Sequence, residues 1–212
     1  MIAIIDYGVG NLLSVAKALE YIGGAAFVTN QKEELMAADG VILPGVGAFG
    51  DAMVSLRTLD LLAPLKAYAR TGKPLLGICL GMQLLFSVSE EHGTHVGLGL
   101  IPGHVLRMRG GYKIPQVGWN QLQAVRAHPV AAGLESGEFA YFVHSYMVAP
   151  LNPDVIVATT DYHQAIPAIV ARDNIVGMQF HPEKSSHTGL KLLSNFVAWC
   201  AGGASDAVVS GD

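Results

Sequence analysis

The chain has 212 residues, of which 51% are hydrophobic and only 14% charged, with a formal net charge of −4. An average soluble domain carries about 25% charged residues, so this balance implies one domain with a large core and a surface that another protein partly covers. The mild negative charge argues against DNA, RNA or an anionic membrane as partner, two cysteines form no disulfide framework, and no apolar run reaches the ~18 residues of a membrane span.

Along the chain, Ile2–Asp6 reads as a buried strand, with an acid too early and no basic segment for a secretory leader, so a cytoplasmic or organelle-stroma protein is expected. Asn11 is placed to cap a helix through Tyr21, which Gly23-Gly24 stops. A strand follows at Ala25–Thr29, then a short helix at Lys32–Ala38 and a strand at Val41–Pro44. Helices at Phe49–Leu59 and Ala63–Arg70 come next, then an apolar run through Leu75-Leu76 that meets Gly77-Ile78-Cys79-Leu80-Gly81, after which Leu80 to Phe86 reads as helical. Apolar strands alternating with helices predict a parallel sheet covered on both faces.

The second half is richer in strand: Val105–Met108, Gln121–Val125, Phe139–Met147, Val155–Thr160, Ala165–Ala171 and Ile175–Phe180, with Asp173-Asn174 as a hairpin turn. A last helix spans Leu190–Cys200, where Leu190, Leu193, Val197 and Cys200 form one core-facing stripe, so Cys200 reads as packing. The fold class is α/β: a single domain over residues 1–202, with a mostly parallel central sheet, helices on both faces and a mixed or antiparallel second half. Residues 203–212, small and polar, are expected to be a mobile tail.

Chemistry concentrates where the strands end. Strand, sharp turn and helix around Cys79 describe an elbow that pushes a nucleophile out of the sheet, with glycines where a side chain would collide with the returning chain. The helix starting at Leu80 points free N–H groups at the sulfur, which favours its anionic form. A cysteine nucleophile needs a base and something to orient that base. His181-Pro182-Glu183 supplies both, since the stiff turn can set the Glu183 carboxylate against the imidazole nitrogen facing away from the thiol. The Leu80 amide is one oxyanion donor by geometry, and Pro44-Gly45-Val46-Gly47 is either a second source of N–H groups or a plain βα turn. In a parallel α/β sheet these segments, with Asp6–Asn11, converge on the carboxyl-end rim.

Taken together, Gly77-Ile78-Cys79-Leu80-Gly81-Met82-Gln83 and His181-Pro182-Glu183 resemble the triad, class I glutamine amidotransferases. Asp6–Asn11, Pro44–Gly50, Gly118-Trp119-Asn120, Tyr141–Tyr146 and Gln179–Ser185 narrow the resemblance to the glutaminase subunits of imidazole glycerol phosphate synthase, over nearly the whole chain. The resemblance implies that Cys79 attacks the side-chain amide of glutamine, that His181 protonates the departing ammonia and then activates water, and that Glu183 orients His181. It implies a γ-glutamyl thioester, release of glutamate, and ammonia passed to a cyclase subunit with a (β/α)8 barrel that makes imidazole glycerol phosphate and aminoimidazole carboxamide ribonucleotide in histidine biosynthesis. Gly47, Gln83, Glu91, Ser145 and Tyr146 match glutamine-binding positions, and Val46 and Leu80 match oxyanion positions. Asn11, Gln116, Trp119, Asn120, Tyr141 and Lys184 match positions that face the cyclase in the heterodimer. No cofactor and no metal is implied.

The family often has Pro-His where this chain has Pro115-Gln116. Gln116 hydrogen-bonds but carries no charge near neutral pH, so no charged histidine can relay the partner's state here. His92 and His95 lack further ligands for a metal, and Gly8-Val9-Gly10 fails as a dinucleotide loop because the third glycine position is Leu13. Three other readings stand beside the first: a glutaminase serving another synthase, a cysteine peptidase on a similar scaffold, and a non-catalytic module with a relic site.

Overall fold

The computed structural model describes residues 1–202, so the expected polar tail, residues 203–212, lies outside the described residues. The first half alternates as expected: β1 (Ile2–Ile5), α1 (Leu12–Tyr21), β2 (Ala26–Thr29), α2 (Lys32–Ala37), β3 (Gly40–Gly45), α3 (Phe49–Thr58), α4 (Leu62–Ala69), β4 (Leu75–Cys79) and α5 (Leu80–Leu84). β5 (Phe86–Ser89), β6 (His95–Val96), β7 (Ile101–Arg107), β8 (Gln116–Ala124), β9 (Phe139–His144) and β10 (Tyr146–Pro150) follow. The chain closes with β11 (Ile156–Asp161), β12 (Ala165–Arg172), β13 (Ile175–Met178) and α6 (Ser186–Cys200).

The large sheet has nine strands in the order β2-β1-β3-β4-β13-β12-β11-β8-β9. The pairs from β2 through β13 are parallel and those from β13 through β9 antiparallel, the division into two halves that the strand pattern predicts. β1, β3, β4 and β13 are buried along their whole length, as a sheet covered on both faces requires. One face packs on α1 and α6 through Val15, Leu19, Leu192 and Phe196, the other on the α2–α4 side through Leu35, Leu56 and Leu65.

A second sheet, of four strands in the order β10-β7-β5-β6, is not apparent from the sequence pattern. The helix expected through Phe86 stops at Leu84, because the Leu84 and Phe86 carbonyls accept bonds from Leu98 N and Gly99 N and the chain turns into β5. The single strand expected over Phe139–Met147 breaks at Ser145, so β9 joins the large sheet and β10 the small one. β7 starts at Ile101, four residues before the expected Val105, and β8 at Gln116, five before Gln121, because Pro102, Gly103 and Gly118 mask their patterns. α6 begins at Ser186, since Gly189 lets the helix press against Pro182. Asn11 occupies the cap position of α1, but its side chain makes no capping bond.

Candidate active site

Three neighbouring parallel strands build the site. In register, Gly45 at the end of β3 sits beside Cys79 at the end of β4, and Met178 at the end of β13 sits beside Ile78. The loop after β3, the elbow after β4 and the turn after β13 therefore emerge side by side at the carboxyl edge, where ligands of such sheets bind.

The elbow is strained at the sulfur-bearing residue. Cys79 has φ +55° and ψ −109°, a backbone conformation that non-glycine residues rarely adopt. The flanking glycines make the turn possible: a Cβ on Gly77 would lie 2.6 Å from the Gly81 carbonyl oxygen, and one on Gly81 would overlap the Leu43 carbonyl. The thiol is 6% exposed, with the Val143 carbonyl oxygen 4.0 Å and the Gln179 amide nitrogen 3.9 Å from Sγ.

His181 and Glu183 pair through Nδ1 and Oε1 at 2.8 Å, both almost completely buried. His181 Nε2 is buried and has no partner of normal hydrogen-bond length. Burial pushes the His181 imidazolium down, but hydrogen bonding and charge from Cys79 and Glu183 outweigh it and raise it to about 9. The His181 backbone N–H donates to the Tyr141 carbonyl at 3.0 Å, which ties β9 to the turn after β13.

The cleft above Cys79 has a volume of about 650 Å³, the size of a small-molecule site. Cys79 and His181 line it together with Val46, Gly47, Leu80, Gln83, Glu91, Ser145 and Tyr146, so every residue expected at the glutamine or the oxyanion is brought to one cavity. Gln83 Nε2 donates to the Tyr146 carbonyl and to Gln179 Oε1, both at 3.1 Å, which chains Gln83 to the residue touching the thiol. The Val46-Gly47 loop is exposed but held at both ends: Tyr7 Oη donates to the Pro44 carbonyl at 2.6 Å, and Phe49 N donates to Glu91 Oε2 at 2.7 Å. Glu91 is thus tied to the start of α3 through one oxygen.

Of the residues expected at a partner, Trp119 is 51% exposed and packs edge-on against Tyr141 at 5.9 Å, and Lys184 is exposed. Val117, Val143 and Phe139 lie exposed on the same face of the β8–β9 hairpin. Asn11 and Asn120 are half-buried. Gln116 is 0% exposed and donates through Nε2 to Asn120 Oδ1 at 2.9 Å. Sequence alone assigns no role to two neighbours of the cleft, Gln179 and His144. Their only signal is a polar side chain at the end of an apolar strand. Among the described residues no group of His, Cys, Asp and Glu is arranged to hold a metal, and no helix is long and apolar enough to cross a membrane.

The family model for class-I glutamine amidotransferases matches residues 3–199. The chain is 54% identical to the imidazole glycerol phosphate synthase subunit HisH of Desulfitobacterium hafniense (strain DSM 10664 / DCB-2), over 94% of each chain. It is 50% identical to the subunit of that name from Aquifex aeolicus (strain VF5), over 91% of this chain and 94% of the other. Among solved structures, a glutamine amidotransferase superposes with a TM-score of 0.75 at 20% identity, covering 95% of this chain and 100% of that one. PurLQS from Thermotoga maritima superposes with a TM-score of 0.74 at 21% identity, covering 93% and 97%. These structural likenesses bear on the fold alone.

Proposed function

The chain belongs to the class I glutamine amidotransferases and, within them, to the HisH subunits of imidazole glycerol phosphate synthase, and from that premise we propose that it hydrolyses glutamine through a thioester on Cys79 and supplies the ammonia to a cyclase subunit in histidine biosynthesis. The carrying observation is the meeting of Cys79, His181 and Glu183 at the ends of adjacent strands, with the 2.8 Å His181–Glu183 bond fixing the imidazole.

Glu183 accepts the Nδ1 hydrogen and leaves Nε2 facing the thiol. With the proton held on His181, the Cys79 sulfur attacks the side-chain carboxamide carbon of glutamine. The oxyanion that forms is held by the Leu80 amide and by an amide of the Val46-Gly47 loop. His181 returns its proton to the carboxamide nitrogen, ammonia leaves, and the γ-glutamyl thioester remains. His181 then removes a proton from water, whose oxygen displaces the sulfur to give glutamate. Glu91, with one oxygen still free of Phe49, takes the α-ammonium, while Ser145, Tyr146, Gln83 and Gly47 frame the substrate.

The partner is a (β/α)8-barrel cyclase that covers the Trp119–Tyr141 face, Asn11, Asn120 and Lys184. The exposed apolar side chains on β8 and β9, which no described residue covers, support that docking. Residues 1–202 form the glutaminase unit, which works in the cytoplasm.

Glutamate release from glutamine, measured with and without the cyclase and its nucleotide ligand, tests the whole reading. Activity that rises with the cyclase and disappears in Cys79→Ala is the expected result. Hydrolysis indifferent to the cyclase removes the partner from the proposal, and hydrolysis that persists in Cys79→Ala removes the nucleophile.

A further inference from the structure

His144 lines the same cleft as Cys79 and His181 but has no part in the chemistry above. It ends β9 and is 6% exposed. Its Nδ1 lies 2.8 Å from the Tyr146 carbonyl oxygen. A carbonyl oxygen only accepts, so Nδ1 carries the hydrogen. Burial foremost, with the charge of nearby His181 acting the same way, holds the imidazolium down to about 4, against a smaller upward pull from the Tyr146 carbonyl. A neutral ring with its hydrogen on Nδ1 presents a bare lone pair at Nε2. That nitrogen is buried and has no hydrogen-bond partner among the described residues. An unpaired buried acceptor is costly unless something that enters the site satisfies it.

The cleft's substrate brings the matching donor. His181 must deliver its proton to the carboxamide nitrogen, so that nitrogen lies on the His181 side of the bound glutamine. His144 stands on that side as well: it lies three residues along β9 from Tyr141, whose carbonyl accepts from the His181 backbone N–H, and directly follows Val143, whose carbonyl oxygen is 4.0 Å from the Cys79 sulfur. The carboxamide offers two N–H donors there, whereas the carboxylate of glutamate offers only lone pairs. We infer that His144 Nε2 accepts a hydrogen bond from the carboxamide N–H of glutamine, so that His144 is a specificity-determining residue that selects amide over acid and expels the product. The inference rests on the glutaminase reading. It assigns His144 no proton transfer: the neutral imidazole accepts from the amide, then from the departing ammonia, and opposes the carboxylate that replaces them. Rejection by unpaired polar groups of this kind discriminates strongly between analogues of equal shape.

Two substitutions separate this role from mere packing. In His144→Asn the side-chain amide can still donate to the Tyr146 carbonyl but nothing occupies the Nε2 position. In His144→Gln the longer amide returns an acceptor there. With the chain assembled with its cyclase, KM for glutamine, kcat and Ki for glutamate as competitor are measured for each. Loss of one buried hydrogen bond predicts that His144→Asn lowers the ratio of glutamate Ki to glutamine KM by about tenfold, mainly by raising KM, with kcat within about threefold, and that His144→Gln restores most of the ratio. A ratio unchanged in His144→Asn, or KM and Ki rising together, overturns the inference while leaving the glutaminase intact. A collapsed ratio in His144→Gln, where the acceptor is present, overturns it too. A wild type that releases no glutamate brings down the underlying reading and the inference with it.

Discussion

At Cys79 a side chain occupies backbone space that ordinarily belongs to glycine, and such a conformation costs of order 1–3 kcal/mol. Its surroundings hold it there: the register of β4 between β3 and β13 on one side, the first turn of α5 on the other. Gly81 is the narrowest point, because any Cβ there meets the Leu43 carbonyl, which β3 cannot move. Gly81→Ala should therefore destabilise the fold by about 2 kcal/mol and lower glutamine turnover by at least about tenfold through misplacement of Sγ, read by urea denaturation and glutamate release on the same preparation. Turnover close to wild type would show that the elbow relaxes without moving the sulfur. The elbow was legible in sequence because its constraint is local: glycine, cysteine and glycine within five residues. His144 and Gln179 were not, since their partners, Tyr146, Gln83 and the thiol itself, come together only through strand pairing and the tie between β9 and the turn after β13.

Elements meet at equally close quarters. Where β3 begins, a Cβ on Gly40 would overlap the Sγ of Cys200 on α6. Cys200 itself is a packing residue, its thiol pushed up to about 12 chiefly by burial. Gly40→Ala should cost about 1–3 kcal/mol, and Cys200→Ala in the same chain should recover much of that loss, because the two side chains compete for one volume. Additive losses in a four-variant denaturation cycle would refute the clash. The helical stripe that carries Cys200 was readable from periodicity, yet its contact with Gly40 was not, since a glycine gives no pattern. The same limit explains β9 and β10. Phe139 to Met147 is apolar and aromatic apart from His144-Ser145, and a polar pair inside a strand pattern does not by itself announce that the chain passes there from one sheet to another.

Across the whole molecule, three histidines, two buried and one half-buried, shape the response to pH. His128 and His144 are each held down to about 4, burial being the largest cause, against an ordinary value of 6.5. Below 6.5 the unfolded chain binds protons that the folded chain refuses, so stability falls as the solution is acidified toward 4. His181 acts in the opposite sense. Raised to about 9, it contributes fully below 6.5 and loses that contribution as pH climbs through 9. Thermal unfolding should therefore show a maximum near pH 6.5, and Glu183→Gln should flatten the alkaline side by removing one of the charges that holds His181 protonated. An alkaline limb as steep in the variant as in the wild type would mean that Glu183 contributes nothing to the shift. At this scale the parallel half was legible because wholly buried strands read as unbroken apolar runs, while the small sheet was hidden by short strands, prolines and glycines.

The loop between β3 and α3 is a bridge with two abutments, the Tyr7 hydroxyl at Pro44 and the Glu91 carboxylate at Phe49. A span fixed at both ends has no slack to share with its neighbours. Its length is therefore part of the machine: a residue inserted after Val46 has nowhere to go but outward, and a residue deleted must pull on one abutment. Insertions common at exposed loop tips elsewhere should be rejected here, although nothing about the segment's exposure would warn of it.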